Sequence, residues 1–310
     1  MTDAERIAAL CICGPTSAGK SECALIAAEA ADGEIVNADS RQIYAGMRVG
    51  TGWPSEQAMR SVPHHLYGII PPDERYSAGR FVADAGAAIR SIARRGKLPI
   101  LVGGTGLYIE ALNGSMPMDR PIGDEAVRAR VRAESRLHPH DVLLDWLRAI
   151  DPSAAERVGG NDRYRTLRAL EAALAAQKRA DDPIRPSADD IRLEVIVLCV
   201  SRDEIRHRIR ARVQAMLAAG LVAEAVAVRA RWPAAPALTG IGFAEALAYA
   251  DGIATAPELF ARVVQRTSQY ASRQATWFRR VHGARVIDAD DVADAARAAA
   301  AAARELRRTA

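Results

Sequence analysis

Few features of secreted or membrane-spanning proteins occur in this 310-residue chain. No apolar run is long enough to cross a bilayer, and the opening sequence MTDAERIAAL carries charges where a signal peptide has an apolar segment. The four cysteines and the histidines lack the spacing of a zinc site. We therefore expect a cytoplasmic protein without membrane contact, whose cysteines are reduced and buried.

Lysine is also scarce, since arginine supplies 39 of the 42 basic residues. The formal net charge is +4 and the sequence pI is about 9.0, so the composition permits a polyanionic partner without requiring one. With 49% hydrophobic and 26% charged residues, the chain has the composition of an ordinary globular protein with a sizeable core.

Short apolar runs alternate with helical patterns over much of the chain. Five runs predict strands: Ile7–Cys13, Glu34–Ala38, Pro99–Val102, Arg192–Val200 and Ala284–Ile287. Because helical patterns such as Lys20–Ala31 follow them, we predict an α/β fold with a parallel sheet flanked by helices. Ligands of such sheets bind beyond the carboxyl ends of the strands. The candidate loops are therefore Gly14–Ser21, Asp39–Tyr44 and Gly103–Gly106.

The middle of the chain has a different pattern. From residue 119 to 190 it is rich in Arg, Ala and Glu at helical spacing, and no run there predicts a strand. We predict an all-helical insertion domain at 119–190. The core domain would consist of 1–118 and 191–310 and would end in C-terminal helices.

A phosphate-binding pattern follows the first predicted strand. Residues 14–21 read GPTSAGKS and fit the P-loop pattern G-x-x-x-x-G-K-S/T between a strand and a helix. The residues predicted to bind phosphate are Gly14, Pro15, Thr16, Ser17, Ala18, Gly19, Lys20 and Ser21. Backbone N–H groups and the helix N-terminus attract phosphate oxygens, Lys20 adds a positive charge, and Ser21 can ligate Mg2+. The pattern indicates phosphate binding and does not identify the ligand.

Polar residues follow the next two predicted strands. Asp39, in EIVNADSRQIY, has three interpretations: a magnesium ligand, a general base for a nucleophile, or the cap of a helical turn. Thr105, in the GGTG run, can donate to a leaving phosphate oxygen or belong to an ordinary glycine turn. His64 and His65 fall in a predicted loop. We favour a structural or substrate-edge role for them over a metal site, because no further ligands are suitably spaced.

The segment Ala261–Arg285 is strongly basic. It has six arginines, no acidic residue, and Tyr270, Trp277 and Phe278 interleaved. Arginine with aromatic residues suits phosphate pairing and base stacking in single-stranded or looped RNA. The alternative is an amphipathic helix with solvated arginines, and for the aromatic side chains we favour a place in the core.

Several runs together resemble the bacterial tRNA dimethylallyltransferases. In chain order they are GPTSAGKS, NADSRQIYAGMRVGT, VPHHL, LVGGTGLYIEAL, NDRYRTLRALE, RVQAMLAAGL, GIGFAEAL and YASRQATWFRR. They extend from about Ile7 to Arg280, and the ordered runs DSRQIY, GGTGLY and RQATW are highly specific. The resemblance implies a P-loop NTPase-like core and a helical insertion that contacts tRNA.

The resemblance also implies roles for individual residues. Asp39, Thr105 and Arg212 resemble the family's catalytic residues, namely the base on the adenine amine, the leaving-group contact and the diphosphate-binding arginine. The P-loop would hold the diphosphate of dimethylallyl diphosphate, with Mg2+ as cofactor at Ser21. The implied tRNA-binding residues are Asp39, Ser40, Arg41, Gln42, Thr105, Arg128, Tyr164, Arg165, Thr166, Leu167, Arg168, Arg273 and Gln274.

The implied enzyme transfers a dimethylallyl group from dimethylallyl diphosphate to N6 of the adenosine 3′ of the anticodon (position 37) and releases diphosphate. Its substrates would be tRNAs that read codons beginning with U. They would bind through the anticodon stem-loop to a monomer without an obligate protein partner. Three alternatives stay open: prenyl transfer to free adenosine phosphates, a small-molecule or nucleotide kinase, and a P-loop RNA-binding module without chemistry. The helical insertion and the basic segment favour tRNA over a free nucleotide.

Overall fold

A computed structural model describes residues 6–114, 125–158, 162–178, 188–281 and 283–309. The chain forms two compact units, one of Met1–Ser115 with Ser187–Ala310 and one of Met116–Pro186. The expected domain boundary between residues 118 and 119 lies outside the described residues. The expected boundary between residues 190 and 191 falls where a strand begins.

Six parallel strands are described in the first unit. They are β1 (Ile7–Cys13), β2 (Gly33–Asn37), β3 (His64–His65), β4 (Leu98–Gly103), β5 (Ile191–Cys199) and β6 (Arg285–Asp288). Their order is β3-β2-β4-β1-β5-β6, and every neighbouring pair is parallel. The predicted parallel sheet is therefore confirmed, and the five expected strands begin and end within one residue of their expected positions.

Helices connect the strands in the usual α/β manner. In chain order they are α1 (Lys20–Ala31), α2 (Arg48–Thr51), α3 (Glu56–Ser61), α4 (Ala78–Arg94), α5 (Gly106–Leu112), α6 (Glu125–Leu137), α7 (His140–Ile150), α8 (Pro152–Val158), α9 (Arg163–Lys178), α10 (Arg202–Ala218), α11 (Leu221–Arg231), α12 (Phe243–Ala250), α13 (Ala256–Phe278) and α14 (Val292–Thr309). A 3-10 turn at Pro236–Thr239 precedes α12. Of these, α6 to α9 belong to the second unit.

Two apolar cores of the first unit lie around the strands and helices that carry the loops after β1 and β2. Because successive strand residues point to opposite faces, Leu10 and Ile12 of β1 join one core with the alanine-rich helices α1 and α14. Helix α4 packs against β1, β2 and β4. The other core joins α10 to α13 around Ile209 and Phe243, and it includes Ile43 from the segment after β2. The residues that follow β2 are thereby held firmly.

The two neighbouring histidines form a strand, which corrects the expectation of a loop. His64 and His65 pair with Ile35 and Val36 as the short edge strand β3. The His64 Nδ1 lies 2.7 Å from the Val62 carbonyl oxygen, and the His65 Nε2 lies 2.7 Å from the Glu34 carboxylate. A two-residue strand has no alternation that sequence could reveal. No group of three or more metal-ligating side chains occurs among the described residues.

The cysteines divide into two kinds. All four are free thiols; Cys11, Cys13 and Cys23 are buried, but Cys199 is exposed. The expectation of four buried cysteines is wrong for Cys199 because it is the last residue of β5, where the strand leaves the core. Within the described chain, no single helix is long and apolar enough to cross a membrane; the pair α10–α11, bent by 62°, meets that test by length and composition alone.

The second unit is helical throughout its described part, as predicted. Its core joins Val131 of α6, Leu143 and Leu147 of α7, and Leu170 of α9. Arg128 and Glu171 lie beside this core and form an ion pair at 3.8 Å. Apolar residues at helical spacing thus bury one face of each helix within the unit.

Replacing Phe81 with alanine should destabilise the first unit. Phe81 is fully buried and stacks on Tyr108 with ring centroids 4.4 Å apart. A truncated core phenylalanine leaves a cavity, so Phe81→Ala should lower the free energy of unfolding by about 3–5 kcal/mol. Denaturant unfolding followed by circular dichroism measures this. Ile253→Ala, at a residue that is 73% exposed, is the control and should change the free energy by less than about 0.5 kcal/mol. Equal effects of the two variants would contradict this account of the core.

Candidate functional site

Three loops meet at the carboxyl edge of the sheet, as the strand order β2-β4-β1 requires. They are the P-loop (14–19) after β1, the second loop (38–44) after β2, and the third loop (103–105) after β4. The second and third loops touch so closely that a Cβ atom at Gly103 would lie 2.2 Å from the backbone carbonyl of Ala38. Any other residue at position 103 would therefore push the two loops apart.

The P-loop curves sharply into α1. Ser17 and Gly19 have left-handed φ angles of 65° and 86°, and α1 begins at Lys20. The Lys20 ammonium donates a hydrogen bond to the carbonyl oxygen of Pro15 at 2.7 Å. Among the described atoms, the buried Ser17 hydroxyl has no hydrogen-bond partner. Backbone strain and a buried unpaired hydroxyl are common at ligand sites, and both fit a loop that receives phosphate oxygens.

Two cations and two carboxylates, those of Asp39 and of the exposed Glu22, line a cavity of about 250 Å³ beside this loop. Lys20, Asp39 and Arg212 line it together with Ser21 and Gln42. Removal from bulk water lowers the pKa of Lys20 to about 8, although the negative charge of Asp39 opposes the shift. Burial also lowers the pKa of Arg212, and Asp39 opposes that shift as well. The cavity therefore favours an anionic ligand, which would restore the interactions that both cations have lost with water.

Asp39 is held in a defined position by its neighbours. Its Oδ1 accepts a hydrogen bond from the Arg41 N–H at 2.8 Å, and its own N–H donates to Asn37 Oδ1 at 2.9 Å. The Asn37 amide also donates to the carbonyl oxygens of Asp39 and Leu66. Asp39 thus caps a turn rather than a helix, and this role leaves its carboxylate at the cavity wall.

Thr105 joins the third loop to the second. Its Oγ1 accepts from the Ser40 N–H at 2.9 Å and donates to Ser40 Oγ at 3.2 Å. The Thr105 N–H donates to the Ala38 carbonyl oxygen at 3.3 Å. The residue on each side of Asp39 is therefore bonded to Thr105.

Gln42 of the second loop and Gly52 of the segment after it also line the smaller cavity. Gln42 is buried, and its amide donates to the carbonyl oxygens of Thr51 and Gly52 at 3.2 and 2.8 Å. Arg212 reaches the same Thr51 carbonyl oxygen at 3.3 Å. Gln42, assigned by resemblance to tRNA binding, is thus occupied in holding the segment that contacts Arg212.

A larger cavity of about 400 Å³ shares Thr16, Asp39 and Arg212 with the first. Its other lining residues include Ser40, Arg41, Met216, Phe243, Val263, Arg266, Tyr270 and Arg273. Apolar side chains on one part of the wall and arginines on another suit a ligand with both apolar and anionic groups. Because Asp39 lines both cavities, ligands in the two can meet at its carboxylate.

Helix α13 contains most of the predicted basic segment. Arg273 is exposed, with its guanidinium 5.9 Å from the Tyr270 ring centroid, and burial raises the pKa of Tyr270 to about 12. Gln274 is buried and bonded to the P-loop and the third loop. Phe278 is buried as favoured, whereas Trp277 is 38% exposed, which corrects the expectation for that residue.

Two acidic residues outside the basic segment Ala261–Arg285 pair with arginines inside it and so reduce its net charge. Arg266 forms an ion pair with the buried carboxylate of Glu245, and Arg262 pairs with Glu258 at 3.7 Å. The pair with Glu245 could not be found from the sequence because Glu245 lies on α12, whereas Glu258 lies four residues before Arg262 on α13 itself. Arg273 is the arginine of α13 that both lines the larger cavity and stacks near an aromatic ring.

The remaining tRNA-binding candidates belong to the second unit. Tyr164, Arg165 and Arg168 are exposed, and Tyr164 exposes 72% of its surface. Thr166 is fully buried, and its hydroxyl lies 2.9 Å from His140 Nε2 and 3.0 Å from the Asp162 carbonyl oxygen. Leu167 packs against the core of the unit. The side chains of Thr166 and Leu167 therefore face inwards, contrary to a direct contact with RNA.

Two residues that sequence reasoning missed position the site. Asn37 is fully buried and fixes the turn at Asp39. Glu224 of α11 accepts from the N–H groups of Val49 and Gly50 at 2.7 and 2.8 Å, at the start of α2. The polar Asn37 at the end of an apolar strand was a signal for the first. Glu224 gave none, because an acidic residue on a helix is ordinarily solvated.

Comparison with known proteins yields one consistent group. A family described as IPP transferase matches residues 42–281. Proteins named tRNA dimethylallyltransferase from Halorhodospira halophila and Geobacter sulfurreducens are 43% and 41% identical to the chain. The first alignment covers 87% of this chain and 89% of the relative, and the second covers 86% and 87%.

Solved structures agree with these relatives. The full-length tRNA isopentenylpyrophosphate transferase of Bacillus halodurans matches with a TM-score of 0.70 and 32% identity, over 98% of both chains. A eukaryotic dimethylallyltransferase acting on tRNA matches with a TM-score of 0.74 and 25% identity, over 92% of this chain and 75% of the other.

The lowered pKa of Lys20 predicts how the affinity for inorganic diphosphate depends on pH. The charged ammonium attracts the anion, and it loses its proton as the pH rises through about 8. Above that pH, the Lys20 contribution to affinity should fall by up to about tenfold per pH unit. Isothermal titration calorimetry over a pH series measures the affinity.

Arginine at position 20 is the matched control for this prediction. Diphosphate itself becomes more anionic over the same range, and Lys20→Arg experiences that change without titrating. The ratio of wild-type to Lys20→Arg affinity should therefore decrease above pH 8. A second control is Lys97→Met, at a lysine that pairs with Asp32, and it should keep the wild-type profile. A constant ratio between wild type and Lys20→Arg would contradict the assignment.

Proposed function

The chain belongs to the tRNA dimethylallyltransferase family, and we propose that it transfers a dimethylallyl group to N6 of adenosine 37, 3′ of the anticodon. The substrates are tRNAs that read codons beginning with U, bound through the anticodon stem-loop. The observation that carries the proposal is that Asp39 lines both cavities. A cation-lined site for a leaving group and a larger site for an acceptor therefore adjoin at one carboxylate.

Dimethylallyl diphosphate binds with its diphosphate in the smaller cavity. The backbone N–H groups of the P-loop and the N-terminus of α1 attract its oxygens. Lys20 and Arg212 line the same cavity and stabilise the charge that grows as the C1–O bond breaks. The C1 atom then lies towards Asp39, where the larger cavity begins.

The transfer is a displacement at C1. The adenine N6 lone pair forms the N6–C1 bond while the C1–O bond breaks. The electron pair of the C1–O bond leaves with the diphosphate. Asp39 accepts the N6 proton. A neutral exocyclic amine is a weak nucleophile, so positioning of N6 supplies much of the acceleration. The hydroxyl of Thr105, now donated to Ser40, is the group that turns towards the leaving oxygen.

Magnesium is the proposed cofactor, and the residues present fit it. Hard oxygen ligands suit Mg2+, and the Ser21 hydroxyl and the Asp39 carboxylate line the cavity that receives the diphosphate. Ser21 would hold the ion. When bound, it supplies positive charge to the diphosphate oxygens.

The target adenine leaves the anticodon-loop stack to reach Asp39, at a cost of a few kcal/mol. Ser40, Arg41 and Arg273 line the larger cavity and are the proposed contacts of the acceptor in this unit. On the second unit, the proposed contacts with the tRNA are the exposed residues Tyr164, Arg165 and Arg168. We also propose that the enzyme is a cytoplasmic monomer that needs no protein partner, since one chain lines both cavities.

Incubation with radiolabelled dimethylallyl diphosphate, Mg2+ and unmodified bulk tRNA tests the function, with free AMP in a parallel reaction. We expect label in tRNA alone, located on adenine N6 after nucleoside digestion. Label in AMP would assign prenyl transfer to free nucleotides instead. Absence of label from both acceptors would indicate that the P-loop binds ATP and that the protein is a kinase.

Removal of the Asp39 carboxylate should affect turnover more than tRNA binding. Asp39→Ala should lower kcat by about 100- to 10,000-fold, the usual contribution of a general base, with tRNA affinity nearly unchanged. Asp39→Asn keeps an oxygen that can accept from the Arg41 N–H, so it separates loss of the base from loss of the turn. Single-turnover rates and tRNA filter binding measure both quantities. Equal losses of rate and affinity in Asp39→Asn would exclude the base.

A further inference from the structure

We propose that Gln274 is a positioning residue for the transfer reaction: its side-chain amide ties the P-loop to the third loop and so fixes the diphosphate site relative to Asp39. This inference rests on the proposed function. It differs from the tRNA-binding role that the resemblance implies for Gln274.

Both ends of the Gln274 amide are engaged by the two loops. Its Oε1 accepts from the Thr16 N–H at 2.8 Å, and its Nε2 donates to the Gly104 carbonyl oxygen at 2.8 Å. The partners lie 258 and 170 residues away along the chain. Gln274 exposes only 6% of its surface. Both ends of this buried amide are hydrogen-bonded within the protein. The amide therefore needs no RNA base as a hydrogen-bond partner.

The same bonds continue to the residues on either side of Asp39. From Gly104 the chain leads to Thr105, whose N–H donates to the Ala38 carbonyl oxygen and whose Oγ1 accepts from the Ser40 N–H. Thr16 stands at one end of this path, in the P-loop, and Asp39 lies at the other. Gln274 is therefore the side chain that joins the diphosphate loop to the two loops that hold the proposed base.

Close packing keeps the amide in this position. A Cβ atom at Gly104 would lie 2.3 Å from Gln274 Nε2, and one at Gly106 would lie 2.2 Å from Trp277 Nε1. Helix α13 therefore approaches Gly104 of the third loop and Gly106 at the start of α5, and a larger residue at either position would have to displace the Gln274 or Trp277 side chain. Arg273, beside Gln274 on the same helix, is exposed and lines the larger cavity. One helix thus contributes both to the acceptor cavity and to the diphosphate loop.

The hydrogen bond from the Thr16 N–H to Gln274 also limits which P-loop amides can bind phosphate. The Thr16 N–H is already donated to Gln274 and the Ala18 N–H to the Pro15 carbonyl oxygen. Phosphate oxygens are therefore bound by other amides of the loop, at Ser17 and at residues 19–21. A shift of the P-loop would move these donors relative to C1. A misplacement of about 1 Å can cost about 100-fold in rate, so a lost clamp should appear mainly in kcat.

The test replaces Gln274 with methionine, which has a similar length but neither donor nor acceptor of comparable strength. At saturating concentrations of both substrates, Gln274→Met should lower kcat by about 100-fold. Its tRNA affinity should stay within about twofold of wild type, because the amide faces the loops rather than the RNA. Gln265→Met is the matched control, since Gln265 is exposed on the same helix, and it should behave as wild type in both measurements.

A second variant protects the test against simple loss of folding. Gly104→Ala inserts a methyl group at the contact with Nε2 and should displace the same amide without changing Gln274. Because both substitutions break one clamp, the rate losses of Gly104→Ala and Gln274→Met should not add in the double variant. Thermal unfolding of each variant shows that the compared proteins are folded.

Each other result counts against the proposal. A tRNA affinity that falls as much as kcat would make Gln274 an RNA contact. A kcat within about threefold of wild type, or additive losses in the double-variant cycle, would show that the amide does not act as a clamp between the two loops. Failure of the proposed function is separate, because then wild type itself gives no product. In that case inorganic diphosphate is the probe: Gln274→Met should still bind it several-fold more weakly than wild type, and equal binding would overturn the inference.

Discussion

The second and third loops meet backbone to backbone, with no side chain between Gly103 and Ala38. This contact follows from the pairing of β2 with β4, whose carboxyl ends lie side by side. It brings the Thr105 N–H and hydroxyl against the residues that flank Asp39. Polar backbone groups at a strand end must find partners, and here they find each other. These bonds hold the backbone on either side of Asp39, and the Arg41 N–H holds the carboxylate itself.

The buried positive charges near the Asp39 carboxylate are only partly compensated by the protein. Lys20 and Arg212 share the smaller cavity with Asp39 and the exposed Glu22, and burial lowers the pKa of both cations. Before a ligand binds, the protein bears the cost of holding two partly desolvated cations close to one another. A diphosphate reverses this cost because it supplies several negative oxygens at once. Such preorganised charge also stabilises a leaving diphosphate more than water can, since no solvent has to reorient.

How far sequence could predict this site depends on the range of each interaction. The P-loop and the strands around it were predictable because their signals are local: an apolar run, a glycine-rich turn and a helix start. Asp39 was identifiable as polar at a strand end, but its hold by Asn37 and the Arg41 N–H is visible only in the structure. Glu224 and Glu245 were beyond reach, because each pairs with a segment that is distant in sequence. The strand at His64 is too short to carry a periodic signal.

A P-loop explains where the diphosphate binds, and the neighbouring loop decides which reaction follows. In a kinase the phosphoryl group is transferred, so the reacting atom is phosphorus and the phosphates must face the acceptor. Here the diphosphate is the leaving group, so the reacting carbon must project beyond the cations towards the acceptor cavity. Asp39 stands at that junction, lining the cavities on both sides. The rigidity of the turn at Asp39 therefore matters as much as the charge of its carboxylate, because a neutral amine reacts only when it is held in line with the breaking bond.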